Sequence, residues 1–521
     1  MTRILHMGVY TAAFTVFATA ALAAPYSVVE KPAMQISADL AAHKVSSVAL
    51  VRTYEARIRR INPEIHAVIG VVRTAGAQAR ESDARRAHGE SKGPLDGLPI
   101  IVKDNIGIAG EPTTAGSLAL IDNARAANAP TIENLAKAGA VIFARANLSE
   151  WANIRSTHAI SGWSAVGGLT RNPYMLDRTA CGSSSGSAAA VAASLAAAAV
   201  GTETDGSITC PAAVNGLVGL KPTVGLISRT GVVPISQSQD TPGPITHTVE
   251  DAAALLTAMA GSDPADPATA EADAHRTDYV KGLDRNALKG ARIGVIRAGL
   301  DNYTPQTVAV FEKALDDLKA QGAVLVDIDK FDMGKIPDDE LTVLMTELKA
   351  DMALYLAGSP PAVQARTLAD LIAFDKVEPR ETKWFGQELF EKAEATKGLD
   401  DPDYIKARDE ARKLAGPDGI DKLLADNNVI ALVAPTMGPA WVIDVVNGDP
   451  GSVASDTTLP AVAGYPHLTV PMGEVSGLPV GISFVGPKWS EQLLLSLGYA
   501  YEQATHAHRP PTYAANIQTQ D

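Results

Sequence analysis

The chain has 521 residues, 46% of them hydrophobic and 20% charged, with a formal net charge of −14 at pH 7. Those figures are ordinary for a globular protein able to bury a large core, and the length alone permits two or three domains. The acidic balance argues against nucleic acid and anionic membrane surfaces as partners, because like charges repel there.

The first residues, MTRILHMGVYTAAFTVFATAALAAPYS, carry one Arg and then an apolar segment ending in Ala21-Leu22-Ala23. A short apolar run closed by a small-x-small pattern reads as a secretory signal over 1–23, which places the mature chain in the periplasm or outside a bacterial cell. The run is short for a membrane span, and no cysteine marks a lipoprotein cleavage site. After cleavage no membrane contact is expected.

Residues 36–60 show helical apolar spacing with a basic end and predict an amphipathic surface helix that Asn62-Pro63 stops. Residues 74–90, rich in Ala and charge, predict a second helix. GPLDGLP is a turn, and the IIV run before Lys103 suits a central strand. A lysine directly after a strand is commonly a solvated end-cap. Here it lies between an apolar run and an Asn-Ile-Gly turn, and burial there disfavours its ammonium form and lowers its pKa. A neutral amine near pH 7 takes up protons, a role that suits lysine because burial moves its pKa readily. TIENLAKAGAVIFARANLSEWAN then gives helix, strand and polar loop. Trp151, Trp163 and Tyr174 are open to two roles, core packing or an apolar wall for a peptide-sized ligand.

From Cys181 to Pro211 runs CGSSSGSAAAVAASLAAAAVGTETDGSITCP, with Ser/Gly clusters at Gly182–Ser187 and Thr202–Ser207. The Ala- and Val-rich run between them predicts one buried helix packed close to its neighbours. A polar loop, a dry helix and a second polar loop bring two hydroxyl clusters into one space, which suits a nucleophile with a hydroxyl relay. The apolar spacer argues against a flexible linker, and no G-x-x-x-x-G-K-[ST] is present to cradle phosphate. Gly182–Gly186 satisfies G-x-S-x-G with Ser184 at its centre, yet that elbow needs a strand just before it, and LDRTAC is a poor one. The cysteines, Cys181 and Cys210, flank the clusters. An oxidising compartment permits a disulfide between them, and two buried free thiols stay equally open. Their spacing fits no metal site and the histidines form no HxxxH pair, so no metal is expected.

Beyond this stretch, AAVNGLVGLKPTVGLIS alternates apolar residues with Gly as strands do, and Gln239–Pro244 reads as a rigid turn in which Asp240 is structural. Residues 262–290 predict a surface excursion, and ARIGVIR is a strand. FEKALDDLKAQGAVLVDI repeats the helix–strand unit, and residues 335–425 are mostly charged helical segments built on the sheet. IALVAPT, HLTVPMG and GLPVGISFVGP are further strands before a closing helix from about Glu491. There is no internal repeat and no linker after residue 25. The expected fold is a single large α/β domain, a mixed central β-sheet covered by helices on both faces.

The stretch CGSSSGS…GTETDGS…CPAA resembles the signature of the amidase signature family, serine hydrolases with a Ser–Ser–Lys triad and no histidine. The resemblance implies Ser207 as nucleophile, Ser183, 24 residues upstream, as bridging hydroxyl, and Lys103 as base. The backbone N–H groups of Thr204, Asp205, Gly206 and Ser207 are closely spaced enough to form an oxyanion hole. The family also implies a cis peptide at Gly182–Ser183, with Ser184 as the alternative bridging group or a loop hydrogen-bonder. Cys181, Asp205 and Thr209 depart from the family's usual Gly, Gly or Ala, and Arg, and these departures occur together in peptide amidases. Similarity to that subgroup continues through NLSEWAN, SGWSA, QDTPGP, GLKPTVGL, FGQEL and PAVAGYP…TVPMG…GLPVG.

The resemblance therefore implies an amidase domain over 25–515, with a signature core at about 95–245 and a helical insertion or lid at about 335–425. It implies hydrolysis of carboxamides, foremost the C-terminal amide of peptides with release of ammonia, and an aryl or anilide amide as the alternative. No cofactor is expected, and the partner is a small-molecule or peptide amide met by a monomer. A transamidase acting on aminoacyl-tRNA shares the triad but not the secretory signal or the acidic charge. A Ser-His-Asp enzyme using Ser184 requires a histidine, and His247, His275, His467, His506 and His508 have no supporting motif. A non-catalytic periplasmic binding protein is the third class, and a fluorophosphonate probe separates it from a serine hydrolase.

Overall fold

In the computed structural model, which describes Gly8, residues 26–451 and residues 453–517, eleven strands hydrogen-bond into one sheet. The expected signal over 1–23 lies outside the described residues apart from Gly8. In chain order the strands are β1 (Val68–Val71), β2 (Pro99–Lys103), β3 (Val141–Ala146), β4 (Ala198–Glu203), β5 (Val218–Lys221) and β6 (Thr241–Thr246). They continue with β7 (Arg292–Ile296), β8 (Val324–Ile328), β9 (Ala431–Pro435), β10 (His467–Val475) and β11 (Leu478–Val485). Across the sheet the order is β1-β3-β2-β4-β6-β5-β10-β11-β9-β7-β8. Pairing is parallel for β2 with β3 and β4 and for β7 with β8 and β9, and antiparallel elsewhere. The sheet is mixed and helices cover both faces, so the chain is a single α/β domain. Strand β2 is buried along its whole length, as a strand flanked on both edges and both faces must be.

The structure corrects three expectations. The Ala- and Val-rich run is not one helix: it is a helix over Ser185–Ala192, a turn, and then β4. Ser194 breaks the helix with φ +52, and its hydroxyl accepts from Glu30 N–H at 3.0 Å. Arg57 donates to the carbonyls of Ala193 and Ser194, at 2.7 and 2.8 Å. Sheet pairing of Ala198–Val200 with β2 then outweighs alanine's helix propensity, a weak preference beside tertiary contacts. Gln239–Pro244 is likewise no simple turn, because Thr241–Thr246 is the strand between β4 and β5. Pro242 and Pro244 stand two apart, so both missing N–H groups face one edge and the intervening residues keep their donors. Finally, the helix over 36–60 is two helices, Ala33–Ala41 and Ser47–Ile65, the second capped by Ser46 and running through Pro63. Asn62 does not stop it. Its side chain bonds both backbone groups of Val68, fastening the helix end to β1.

The signature helix sits so close to its surroundings that a side chain at Gly186 would collide with backbone atoms of Ala67 and Asn147. Gly186→Ala is expected to lower stability by about 2–3 kcal/mol. A chemical denaturation midpoint that does not move would show that the helix has slack.

Residues 335–425 are helical as expected, with helices at Ile336–Ala357, Leu368–Val377, Glu388–Glu394 and Pro402–Ala415. They have their own apolar cluster, which Trp151 joins by packing edge-on against Phe390 at 5.7 Å. Trp163 packs on Phe385 at 5.2 Å, and Tyr174 is buried in the main core. All three aromatics are packing residues. Arg155, 1% exposed, pairs with Glu150 at 3.0 Å and donates to the Glu381 carbonyl at 2.7 Å, tying this helical layer to the sheet domain.

Candidate active site

Lys103 closes β2 in the middle of the sheet and is fully buried. Its Nζ lies 2.8 Å from Ser183 Oγ, 2.8 Å from Thr202 Oγ1 and 3.2 Å from the Thr202 carbonyl oxygen. Asn105 Nδ2 donates to the same Thr202 hydroxyl at 2.9 Å. Burial pushes the lysine down to about 7, and the negative charges of Asp240 and Glu203 only partly offset this. The lysine therefore holds a neutral amine for much of the time at neutral pH.

Ser183 follows a cis Gly182–Ser183 peptide and has no exposure. Ser184, next along the chain, donates its hydroxyl to the Thr202 carbonyl at 3.1 Å and accepts from Thr202 N–H at 3.2 Å. Both partners belong to β4, so Ser184 fastens the first cluster to that strand. It is fully buried and has no histidine partner among the described residues, unlike the nucleophile of a Ser-His-Asp enzyme. The histidines bond elsewhere: His467 Nε2 lies 2.6 Å from Ser483 Oγ, and His508 bonds to Glu30 and Gly216.

The second cluster is the loop from β4 into the short helix Thr209–Val214. Its end meets the first cluster directly, where Ser184 N–H donates to the Ser207 carbonyl at 3.1 Å. Ser207 keeps 8% exposure, whereas Ser183 and Lys103 have none. The side chains of Thr204 and Asp205 are held. Thr204 donates to Asp240 at 2.6 Å, and Asp205 accepts from the Thr458 hydroxyl at 2.6 Å. Gly206 turns the chain with φ +73, a conformation that favours glycine. Glu203 accepts from the N–H groups of Ile208 and Thr209 at 2.7 and 2.9 Å, which orients the following helix. Asp240 also accepts from the N–H groups of Ile235 and Ser236, so its role is structural as expected.

Carboxyl groups crowd the loop. Burial pushes Glu203, Asp205 and Asp240 upward, and Glu340 on the helix Ile336–Ala357 is raised by burial and by Asp205. Lys221, itself pushed down to about 8 by burial, is the cation that stabilises Glu203 and Asp205. Gln239 bridges the loop to the helical layer, donating to Glu340 at 2.8 Å and to the Thr204 carbonyl at 3.3 Å. A cavity of about 600 Å³, lined by Tyr303, Met333, Pro435, Asp456 and Leu459, touches the loop through Thr458.

Cys181 and Cys210, left open by the sequence, are bonded, with Cα atoms 6.1 Å apart. The bridge joins the residue before Gly182 to the helix that follows Ser207. The structure thus brings Lys103, Ser183, Ser184 and the Thr204–Ser207 loop into one place. It adds Thr202, Asn105 and Glu203, which sequence reading missed although each lies inside a stretch it had singled out.

The chain resembles known proteins along nearly its whole length. The family model described as Amidase matches residues 49–495. The Arabidopsis thaliana protein named Probable amidase At4g34880 is 38% identical over 510 residues, covering 95% of this chain and 94% of its own. The native peptide amidase of Stenotrophomonas maltophilia is 48% identical with a TM-score of 0.89, covering 93% of this chain and 99% of its own. A structure of the peptide amidase PAM with the competitive inhibitor chymostatin gives 48% identity and a TM-score of 0.90 over the same shares. On this fold, these buried hydroxyls and these relatives, the chain belongs to the amidase signature family and is an amide hydrolase.

Proposed function

We propose that the chain hydrolyses the terminal carboxamide of peptides, with Ser207 as nucleophile, Ser183 as relay and Lys103 as base. The observation that carries this reading is the fully buried Lys103 amine 2.8 Å from the Ser183 hydroxyl, held down to about 7. In the neutral amine two N–H groups serve the Thr202 carbonyl and hydroxyl, and the lone pair accepts from Ser183 O–H. Ser183 can then take the proton of Ser207, and the alkoxide attacks the amide carbonyl. The tetrahedral oxyanion is stabilised by backbone N–H groups among Thr204, Asp205, Gly206 and Ser207, a donor of this kind contributing about 3 kcal/mol. The proton returns through the relay to the leaving ammonia, and water hydrolyses the acyl-enzyme.

The peptide amidases among the relatives support the substrate class, and an inhibitor-bound relative supports a peptide-sized cleft. The helical layer at about 335–425 would act as a lid, contacting the loop through Gln239 and Glu340. Export to the periplasm or beyond the cell is part of the same proposal, supported by the Cys181–Cys210 bond. The test is a panel of peptide amides, anilides and free amino-acid amides, scored by ammonia or arylamine release. Turnover of anilides alone would refute the carboxamide reading.

Two expected results arise from the geometry. The base must be neutral, so kcat/KM should rise with pH through about 7 and hold into the alkaline range. A steep fall above that value in a folded enzyme would exclude Lys103 as base. Gly206→Ala should lower kcat by at least about tenfold, because an L side chain is strained at φ +73 and meets Thr457, moving the loop's N–H groups. An unchanged kcat would remove Gly206 from the oxyanion site.

A further inference from the structure

The two ends of the described chain meet at the close of β6, remote from the triad in function and composed of different chemistry. Glu30 precedes the helix Ala33–Ala41, His247 directly follows β6, and His508 lies just beyond the closing helix Glu491–Thr505. One ligand atom of each of these residues lies within 4.8 Å of the other two. We propose that Glu30, His247 and His508 bind one divalent transition-metal ion of zinc's class.

His508 and Glu30 form an ion pair that a bound metal ion would replace, and the remaining hydrogen bonds are those that metal-binding histidines use. His508 Nδ1 lies 2.7 Å from the Gly216 carbonyl oxygen, and its Nε2 lies 2.6 Å from Glu30 Oε2. A backbone carbonyl on one ring nitrogen fixes the tautomer and turns the other nitrogen toward the ligand position. His247 repeats the pattern, with the Val191 backbone as a hydrogen-bond partner and a buried Nδ1 that has none among the described residues. A buried ring nitrogen without a partner is costly, and coordination would satisfy it. Glu30 is held in place by its backbone N–H on Ser194 Oγ at 3.0 Å.

A cavity of about 230 Å³ opens on all three residues and on Glu502 and Thr505, leaving room for water to complete the coordination. Two imidazoles and one carboxylate suit zinc, nickel or copper; magnesium and calcium prefer all-oxygen sites. The ligands come from positions 30, 247 and 508, so no spacing pattern marks them in the sequence. An ion here would clasp the N-terminal segment to the C-terminal one, and its effect would fall on stability.

The test titrates Zn²⁺ alone into the full chain at pH 8 after chelator treatment, by calorimetry and by thermal melting. The expected result is one ion per chain with micromolar or tighter affinity, and a rise in Tm of about 3 °C at a hundredfold excess over Kd. His508→Gln and Glu30→Gln should each weaken binding at least tenfold while amide hydrolysis continues, which reports an intact fold. Should either variant fail to fold, Co²⁺ added to the unaltered chain gives an independent readout, the visible absorption of a four- or five-coordinate nitrogen and oxygen site. Affinity no tighter than millimolar, binding unchanged in both variants, or a hexaaqua-like Co²⁺ spectrum would each overturn the proposal.

Discussion

Ser207→Ala and Lys103→Met are each expected to lower kcat/KM at least about 10³-fold, a loss of roughly 4 kcal/mol in transition-state stabilisation. For Ser207 the change removes the proposed attacking oxygen and little else. The residue's structural bond to Ser184 runs through its backbone carbonyl, which alanine keeps. For Lys103, methionine conserves the volume of the buried stem and deletes the proposed proton acceptor together with its N–H bonds to Thr202. The two variants are then separated by stability. A lysine with its folded pKa near 7 and its unfolded pKa near 10.5 binds fewer protons when folded, so it costs stability fully below about 7 and not at all above about 10.5. The denaturation midpoint of Lys103→Met relative to the unaltered enzyme should therefore improve as pH falls from about 10 to about 6. A fluorophosphonate should label Ser207 in the unaltered enzyme and lose most of that labelling in Lys103→Met. Residual turnover above about a tenth in Ser207→Ala would show that another group is the nucleophile.

Breaking the Cys181–Cys210 bond has the second large effect. The bridge spans 29 residues and encloses both hydroxyl clusters, the helix Ser185–Ala192 and β4. Closing a loop of that length stabilises the folded state by roughly 3–4 kcal/mol on a chain-entropy account. Cys181→Ala/Cys210→Ala should show that loss in chemical denaturation, and dithiothreitol should reproduce it in the unaltered chain without adding to the double variant. Activity should fall as well, because the bridgeheads adjoin Gly182–Ser183 on one side and lie three residues past Ser207 on the other. A double variant as stable as the unaltered enzyme would mean that the bond closes no constraint the fold lacks.

Some of this was settled by residue order alone. Short apolar runs such as IIV, AVIF and VGI fix β-strands because no side chain in them gains by facing water, and Lys103 stands at the end of one of them. The Ser/Gly clusters marked the site because such residues at such density have little other use around an apolar spacer. Tertiary structure decided the rest. Alanine's helical preference is weak, so only the neighbouring strands could turn the second half of that spacer into β4. Two prolines read locally as a turn, and only pairing with β4 and β5 shows them to be strand. The low pKa of Lys103 is a property of burial from every side, which no single segment encodes. Glu30, His247 and His508 likewise became neighbours only when the chain's two ends were brought to the same edge of the fold.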